Sequence, residues 1–152
     1  AIYGWDLLLF YPLLISSGNA LLKNSLTNKN VAYYAQSIAT TIIDMNLVDI
    51  NLVPDVVVSE IDDEHTVAVA NSETYCITVD PAKITDLNHL SEIVAHELVH
   101  LDQLGRGELV VDGINGCYIW KGIEIDFEDF DYDNAPWEID ADVRAELICT
   151  KL

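Results

Sequence analysis

Positively charged residues are scarce in this sequence. It has 7 lysines and arginines against 26 aspartates and glutamates, which gives a formal net charge of −19 at pH 7. Nucleic-acid phosphates and anionic membranes repel such a surface, so neither is expected to be a partner. The charge can serve solubility, tolerance of a salty environment or attraction of cationic substrates, and composition does not choose among these roles.

Cysteine is also sparse. The three cysteines, Cys76, Cys117 and Cys149, are widely spaced and form no CxxC pair. An odd number at such spacing indicates neither a disulfide framework nor a zinc site built from cysteines. We expect each to fill core volume as a small apolar residue, Cys149 included, and the pattern favours a reducing compartment.

The apolar run at residues 7–15 is too short to span a bilayer. It has the length of a signal-peptide core, but no lysine or arginine occurs before Lys23, so the basic segment that precedes such a core is lacking. We interpret the run as a buried helix or strand with a break at Pro12, and an inhibitory pro-segment is the alternative. With the cysteine pattern, this favours a soluble cytoplasmic protein.

The sequence is nevertheless rich enough in apolar residues to fold. Its 152 residues suit a single domain, residues 1–152, and 51% of them are hydrophobic, which argues against a disordered chain. Apolar periodicity predicts a helix over residues 31–45, a strand over 53–61, and hairpins over 66–79 and 108–121. We expect an α+β fold with a small mixed or antiparallel sheet.

The most informative stretch is an apolar run that contains His-Glu-x-x-His, read as His96, Glu97 and His100. On a helix, residues four apart share a face, so the two imidazoles can close on one metal ion. Glu97 lies about 100° round the helix from His96, so its carboxylate can act on a zinc-activated water without binding the metal. An accidental match on a surface helix is the alternative.

An apolar stripe on the same helix argues against that alternative. It predicts a buried helix, in which a carboxylate without a partner is costly. Asp86 or Asn88 can cap the start of this helix, and Gly105 and Gly107 end it. The residues of the stripe are Leu90, Ile93, Val94, Leu98 and Leu101.

Two histidines leave a catalytic zinc ion one protein ligand short. The extended motif HExxHxxGxxH of the metzincins is excluded, because Gln103 and Arg106 occupy its glycine and third-histidine positions. The other solution is a carboxylate from a later helix, where Glu138 and Asp142 share one face. Asp140 is the competing ligand if that helix is rotated.

The acidic residues of the later helix can also be explained without a metal ion. Acidic residues near a helix start are favoured by the macrodipole, so Glu138 and Asp142 could simply be exposed there. We favour the ligand interpretation because the HExxH helix needs this residue type. Asn134 is the expected N-cap of this helix, and Pro136 fits its first turn.

Other candidate sites are weaker. Asp129, Asp131 and Asp133 have the spacing of a calcium loop, but Asn134 and Asp140 occupy its glycine and glutamate positions. We therefore expect the acidic stretch to be a solvated loop. The two remaining histidines lie at the edges of predicted elements and are interpreted as surface or capping residues. They are His65 and His89.

HELVH followed well down the chain by ExxxD resembles the gluzincin branch of zincin metallopeptidases, the thermolysin-like arrangement. The sequence Pro-Trp-Glu-x-Asp-Ala-Asp is similar to the Glu-x-Glu-Ala-Asn-like end of small phage-type and ImmA/IrrE-like zincins. The resemblance implies a zincin-like fold and a zinc endopeptidase with one zinc ion per chain. By position, it makes Glu138 the third ligand and Asp142 the carboxylate that orients a ligand histidine.

The resemblance also implies a mechanism and a substrate site. Glu97 acts as general base, and a further hydrogen-bond donor stabilises the oxyanion. The hairpin at residues 66–79 is expected to supply an edge strand to which an extended peptide can add. The candidates for the oxyanion donor, which the sequence does not rank, are Tyr118, Tyr132 and Arg144.

Three alternatives to a peptidase remain at this point. The first is a non-catalytic zinc-binding module that keeps the zincin fold. The second is another metallohydrolase such as a deformylase, which we do not favour because the cysteine-containing segment that deformylases place before HExxH is not present. The third is a virion or assembly component built on the same fold.

Overall fold

The computed structural model describes residues 9–12 and 27–152. Within these ranges the chain forms three helices and two small sheets, so the fold is mixed α+β, as the sequence predicts. None of these helices combines the length and apolar character that a bilayer crossing requires. The helices are α1 (Asn28–Asp44), α2 (Leu87–Gly105) and α3 (Pro136–Cys149). The strands are β1 (Leu9–Pro12), β2 (Asp55–Val58), β3 (Thr66–Asn71), β4 (Cys76–Val79), β5 (Leu109–Asp112), β6 (Cys117–Trp120) and β7 (Ile123–Asp126).

The first sheet has the order β1-β3-β4-β2. The pairs β1–β3 and β3–β4 are antiparallel, whereas β2 runs parallel to β4. The hairpin predicted at residues 66–79 is confirmed as β3 and β4, and Asn71 shapes its turn by accepting hydrogen bonds from the backbone N–H groups of Glu73 and Thr74. The strand predicted over 53–61 forms only as the shorter β2.

The prediction that this hairpin supplies a free edge strand is wrong. Strand β1 lies beside β3 and β2 lies beside β4, so both hairpin strands are internal. Leu9 pairs with Ala70 and Phe10 with Val69. Local periodicity does not reveal which distant segment pairs with a strand. Of the apolar run at 7–15, only Leu9–Pro12 lies within the described residues, and Pro12 is the last residue of β1.

The main core lies between the first sheet and the three helices. Its largest side chains come from α1, β4 and α2 and are fully buried, among them Ile42, Ile77 and Leu98. All five residues of the apolar stripe predicted on α2 are buried. Helix α2 is therefore an internal helix, in contact with β1, β3, α1 and α3.

Both ends of α2 lie close to their predicted positions. The Asp86 carboxylate caps the helix by accepting a hydrogen bond of 2.8 Å from the backbone N–H of His89. The His89 imidazole accepts from the backbone N–H of Thr85, so His89 is a capping residue. The helix ends at Gly105, and Gly107 turns the chain with a φ of 72°, a conformation that favours glycine.

The second sheet is an antiparallel meander of β5, β6 and β7. The hairpin predicted at 108–121 is confirmed by β5 and β6. The acidic stretch is not all loop, because its first part forms β7, in which Ile125 pairs with Tyr118. The alternation of isoleucine with acidic residues there is a strand pattern that the charge of the stretch obscured. Two short 3₁₀-helices, at 127–129 and 132–134, follow it.

The N-cap of α3 is not Asn134, so that prediction is wrong. Ala135 holds the cap position without a side-chain hydrogen bond, whereas Asn134 is the last residue of the preceding 3₁₀-helix, and its amide donates to the Asp131 carboxylate. Pro136 takes the first helical position, as predicted. The fully buried Trp137 fixes this end of the helix by packing among aromatic rings whose centroids lie 4.7 to 6.5 Å away. These rings belong to Tyr118, Phe130 and Trp120.

Candidate metal centre

Helices α2 and α3 bring three ligand atoms together. The Nε2 atoms of His96 and His100 lie 2.9 Å apart. Glu138 Oε1 lies 3.1 Å from His96 Nε2 and 3.0 Å from His100 Nε2. All three side chains are buried, and together they form a group that can hold a metal ion.

Asp142 contacts the outer nitrogen of the first histidine. Its Oδ1 lies 2.9 Å from Nδ1 of His96. Glu138 and Asp142 are four residues apart on α3, so they share the face that meets α2. Because a carboxylate only accepts hydrogen bonds, His96 Nδ1 carries the proton of this contact, and Nε2 faces the ligand cluster.

Gln103 holds the second histidine, a contact that our sequence interpretation missed. Its Oε1 lies 2.9 Å from His100 Nδ1, and its Nε2 donates to the Trp137 carbonyl at 2.9 Å and to Asp140 Oδ2 at 2.8 Å. In the sequence, Gln103 is informative only as the residue that breaks the extended motif. The available signal was its position three residues after His100, since residues three apart are neighbours on a helix.

The donor set fits a metal ion. With both Nδ1 protons directed outward, two imidazole nitrogens and one carboxylate oxygen face each other, and such a group needs a cation or a proton between its members. In a tetrahedral zinc site with ligand distances of about 2.0–2.1 Å, neighbouring ligand atoms lie about 3.3 Å apart. The observed separations of 2.9 to 3.1 Å are only slightly shorter.

The pKa shifts of the clustered side chains also indicate that the group favours a positive charge. Burial lowers the pKa of His96, but hydrogen bonds with Asp142 and Glu138 outweigh it and raise this pKa to about 10. Burial raises the pKa of Glu138, but the imidazoles of His100 and His96 outweigh it and lower this pKa to about 2. The site therefore stabilises a positive charge next to the Glu138 carboxylate.

Glu97 lies beside the cluster without joining it. It is fully buried, and its oxygens make no well-formed hydrogen bond within the described residues. Burial raises its pKa well above the usual value. The charge of Glu138 adds to this rise, whereas His96 and the backbone N–H of Ala70 oppose it. The Glu97 carboxylate is therefore near the ligand cluster but is not one of its convergent ligand groups.

The three candidate oxyanion donors lie in different surroundings. Burial and then the charges of Glu138 and Glu97 raise the pKa of the Tyr132 phenol, whose hydroxyl also interacts directly with the Glu138 carboxylate. Tyr118 packs its ring on Trp137 with centroids 4.7 Å apart, and burial followed by the charge of Glu138 raises its pKa. Of the two tyrosines, Tyr132 is the one whose hydroxyl contacts Glu138, and the charge of Glu97 also raises its pKa.

Arg144 is engaged elsewhere. Its guanidinium is ion-paired with Asp102 and, at 3.4 Å, with Asp140 Oδ2. Asp140, the competing ligand of the sequence analysis, is not among the convergent ligand atoms, because its Oδ2 accepts from Gln103 and Arg144. Cys149 is partly buried and packs against the main core.

Comparison of the chain with family models, with curated proteins and with solved structures gives no match. The chemistry of the site is therefore inferred from its residues and their geometry.

Proposed function

We propose that this chain is a zinc-dependent endopeptidase of the gluzincin type with a zincin-like fold. The observation that carries the proposal is the convergence of His96 and His100 of the HExxH motif with Glu138 of a distant helix. Two imidazoles and one carboxylate are a donor set typical of catalytic zinc, whereas structural zinc is usually held by four protein ligands. The outer contacts of both histidines support it, since ligand histidines usually donate their second N–H to a carboxylate or carbonyl oxygen.

The chain's own residues supply the proton transfers. When bound, zinc activates water and polarises the scissile carbonyl. Glu97 takes a proton from the attacking water and returns it to the leaving amine. Its burial suits this role, because a raised pKa lets a carboxyl group hold a proton for part of the cycle. Tyr132 donates its hydroxyl proton in a hydrogen bond to the carbonyl oxygen as charge develops there.

A non-catalytic zinc-binding module is the second candidate, and burial favours it. The exposed fraction is 0% for His96, Glu97 and His100 and 3% for Glu138, and closed sites are typical of structural zinc. Glu97 is the argument against it. Burying a carboxylate without well-formed hydrogen bonds destabilises the folded state. A purely structural zinc site would not require such a residue.

The experiment compares zinc content and peptide-library cleavage for the wild-type chain, Glu97→Gln and Glu92→Gln. Glu92 lies on the same helix but is exposed, so its variant is a control with the same change in charge. We expect about one zinc ion per chain in all three proteins. Cleavage should fall about 10²–10⁴-fold in Glu97→Gln alone, since this is the usual effect of losing a general base.

The other results separate the candidates. Zinc without cleavage by the wild-type chain would favour the non-catalytic module. A wild-type chain that binds no zinc would exclude both candidates.

A further inference from the structure

We propose that Gln103 is a positioning residue of the metal centre, which sets the tautomer of His100 and holds Glu138 in place through one side-chain amide. The proposal rests on the metal site of the proposed function and not on the peptidase activity. Gln103 lies on α2, one turn beyond His100, and its exposed fraction is 0%. It is neither a ligand nor the general base.

The orientation of the amide follows from its partners. The Trp137 carbonyl and Asp140 Oδ2 only accept hydrogen bonds, and they lie 2.9 and 2.8 Å from the same end of the Gln103 side chain. That end must be the NH₂ group, because the opposite assignment would place three oxygens against each other in a buried space. Oε1 therefore faces His100.

This orientation determines which nitrogen of His100 carries the proton. An amide oxygen accepts and does not donate, so His100 Nδ1, 2.9 Å away, must be the N–H. The lone pair is then on Nε2, the atom that lies 3.0 Å from Glu138 Oε1. Without the amide, His100 can adopt the other tautomer, whose Nε2–H does not bind a metal ion.

The Gln103 amide also helps to position Glu138, the proposed third ligand. Trp137, whose carbonyl receives one Gln103 N–H, directly precedes Glu138 at the start of α3. The other N–H goes to Asp140 Oδ2, the oxygen that also accepts from Arg144 at 3.4 Å. Gln103 thus connects the helix that carries the histidines to the helix that carries the glutamate, within one residue of the ligand.

A neutral side chain suits this position. His96 donates to an exposed carboxylate, where water screens the charge, but His100 donates to the buried Gln103, which also contacts the partly buried carboxylate of Asp140. A second carboxylate at position 103 would lie close to Asp140 without an N–H to offer it. An amide accepts from the histidine and donates to Asp140, so no charge is added.

The test replaces Gln103 by methionine, which has a similar length and no group that hydrogen-bonds strongly. Gln36→Met is the matched control, because the Gln36 amide also connects a helix to a neighbouring segment, accepting from Val56 N at 3.0 Å and donating to the Pro54 carbonyl at 3.1 Å. Zinc affinity is measured by competition with a chelator, and the His100 tautomer by ¹⁵N chemical shifts of the metal-free protein. Gln103→Asn is the second variant should the methionine variant fail to fold.

We expect Gln103→Met to weaken zinc binding about 10–100-fold, the usual effect of losing a partner of a ligand histidine. The ¹⁵N shifts should show loss of the Nδ1–H form of His100. Gln36→Met should lower the unfolding free energy and leave zinc affinity unchanged. Zinc affinity that is equal in wild type and Gln103→Met would overturn this inference alone. Failure of the wild-type chain to bind zinc would overturn the proposed function and this inference with it.

Discussion

Asp142 is 68% exposed in its side chain, yet its Oδ1 lies 2.9 Å from Nδ1 of His96, which is fully buried. The contact therefore joins the ligand cluster to the surface of the protein. An exposed side chain can be replaced without leaving a cavity in the core. A substitution at Asp142 should therefore test the proposed metal site with little effect on folding.

We expect Asp142→Asn to weaken zinc binding about 10-fold or more, because the neutral amide no longer favours the orientation and basicity that the carboxylate gives to His96. The melting temperature of the metal-free protein should change little, since surface substitutions are usually within about 0.5 kcal/mol. Glu146→Gln is the control, because it removes one negative charge from an exposed position on the same helix. Equal weakening by both variants would show a general charge effect instead.

Removal of the proposed ligand His100 and of the proposed general base Glu97 should affect the metal content differently. His100→Ala removes one of three convergent ligand atoms and should leave almost no zinc after dialysis. Glu97→Gln removes a carboxylate outside that group, and its zinc content should equal that of wild type. Both are measured by metal analysis of protein dialysed against a fixed free zinc concentration. If the two variants lost zinc equally, Glu97 would have to be a ligand.

Zinc should also stabilise the packing of α2 against α3, because the proposed ligands come from both helices. A ligand that binds only the folded state adds about 2.7 kcal/mol to the unfolding free energy at a hundred times its dissociation constant. Denaturant unfolding with and without zinc measures this increment in wild type, and a chelator should abolish it. In His100→Ala the increment should be close to zero. A full increment in that variant would indicate that zinc binds elsewhere.

The two tyrosines can be separated by kinetics. Tyr132→Phe should lower kcat about 10²–10³-fold with little change in KM, the usual result of removing one oxyanion donor. Tyr118→Phe keeps the ring that packs on Trp137 and should leave kcat within a few-fold of wild type. Initial rates on one cleaved peptide give both constants. The reverse pattern would make Tyr118 the donor.

The sequence could predict the elements whose signals are local. The stripe on α2 has a regular period and the motif spacing places two imidazoles on one face, so both depend only on helix geometry. The pairing with Glu138 followed from the needs of zinc chemistry rather than from the residue pattern. The structure brings those three side chains together.

What the sequence could not predict depends on distant partners. Asn134 is of a residue type typical of caps, but it ends the 3₁₀-helix that begins at Tyr132, so the cap position falls on Ala135. Gln103 matters through Trp137 and Asp140, more than thirty residues away in the chain. The same reasoning applies to the edge of β3, because its neighbour β1 comes from the start of the chain.

The position of β1 beside β3 determines whether a peptide could pair with β3. Strand β1 pairs with β3 at Ala70, whose backbone N–H acts on the Glu97 carboxylate, and β1 also contacts α2. An extended peptide that adds to β3 beside Glu97 must therefore take the place of β1. Phe10 and Val69 are directly paired, so cysteines at both positions can tether the two strands.

We expect the double variant Phe10→Cys/Val69→Cys to lose peptide cleavage when oxidised and to regain it with a reductant. Zinc content should stay constant in both states. The single-cysteine variants are the controls, since they keep the three native free cysteines and cannot form the tether. Cleavage by a fully tethered protein at the wild-type rate would show that substrates reach Glu97 without displacing β1. In that case the edge of β3 is not where the peptide binds.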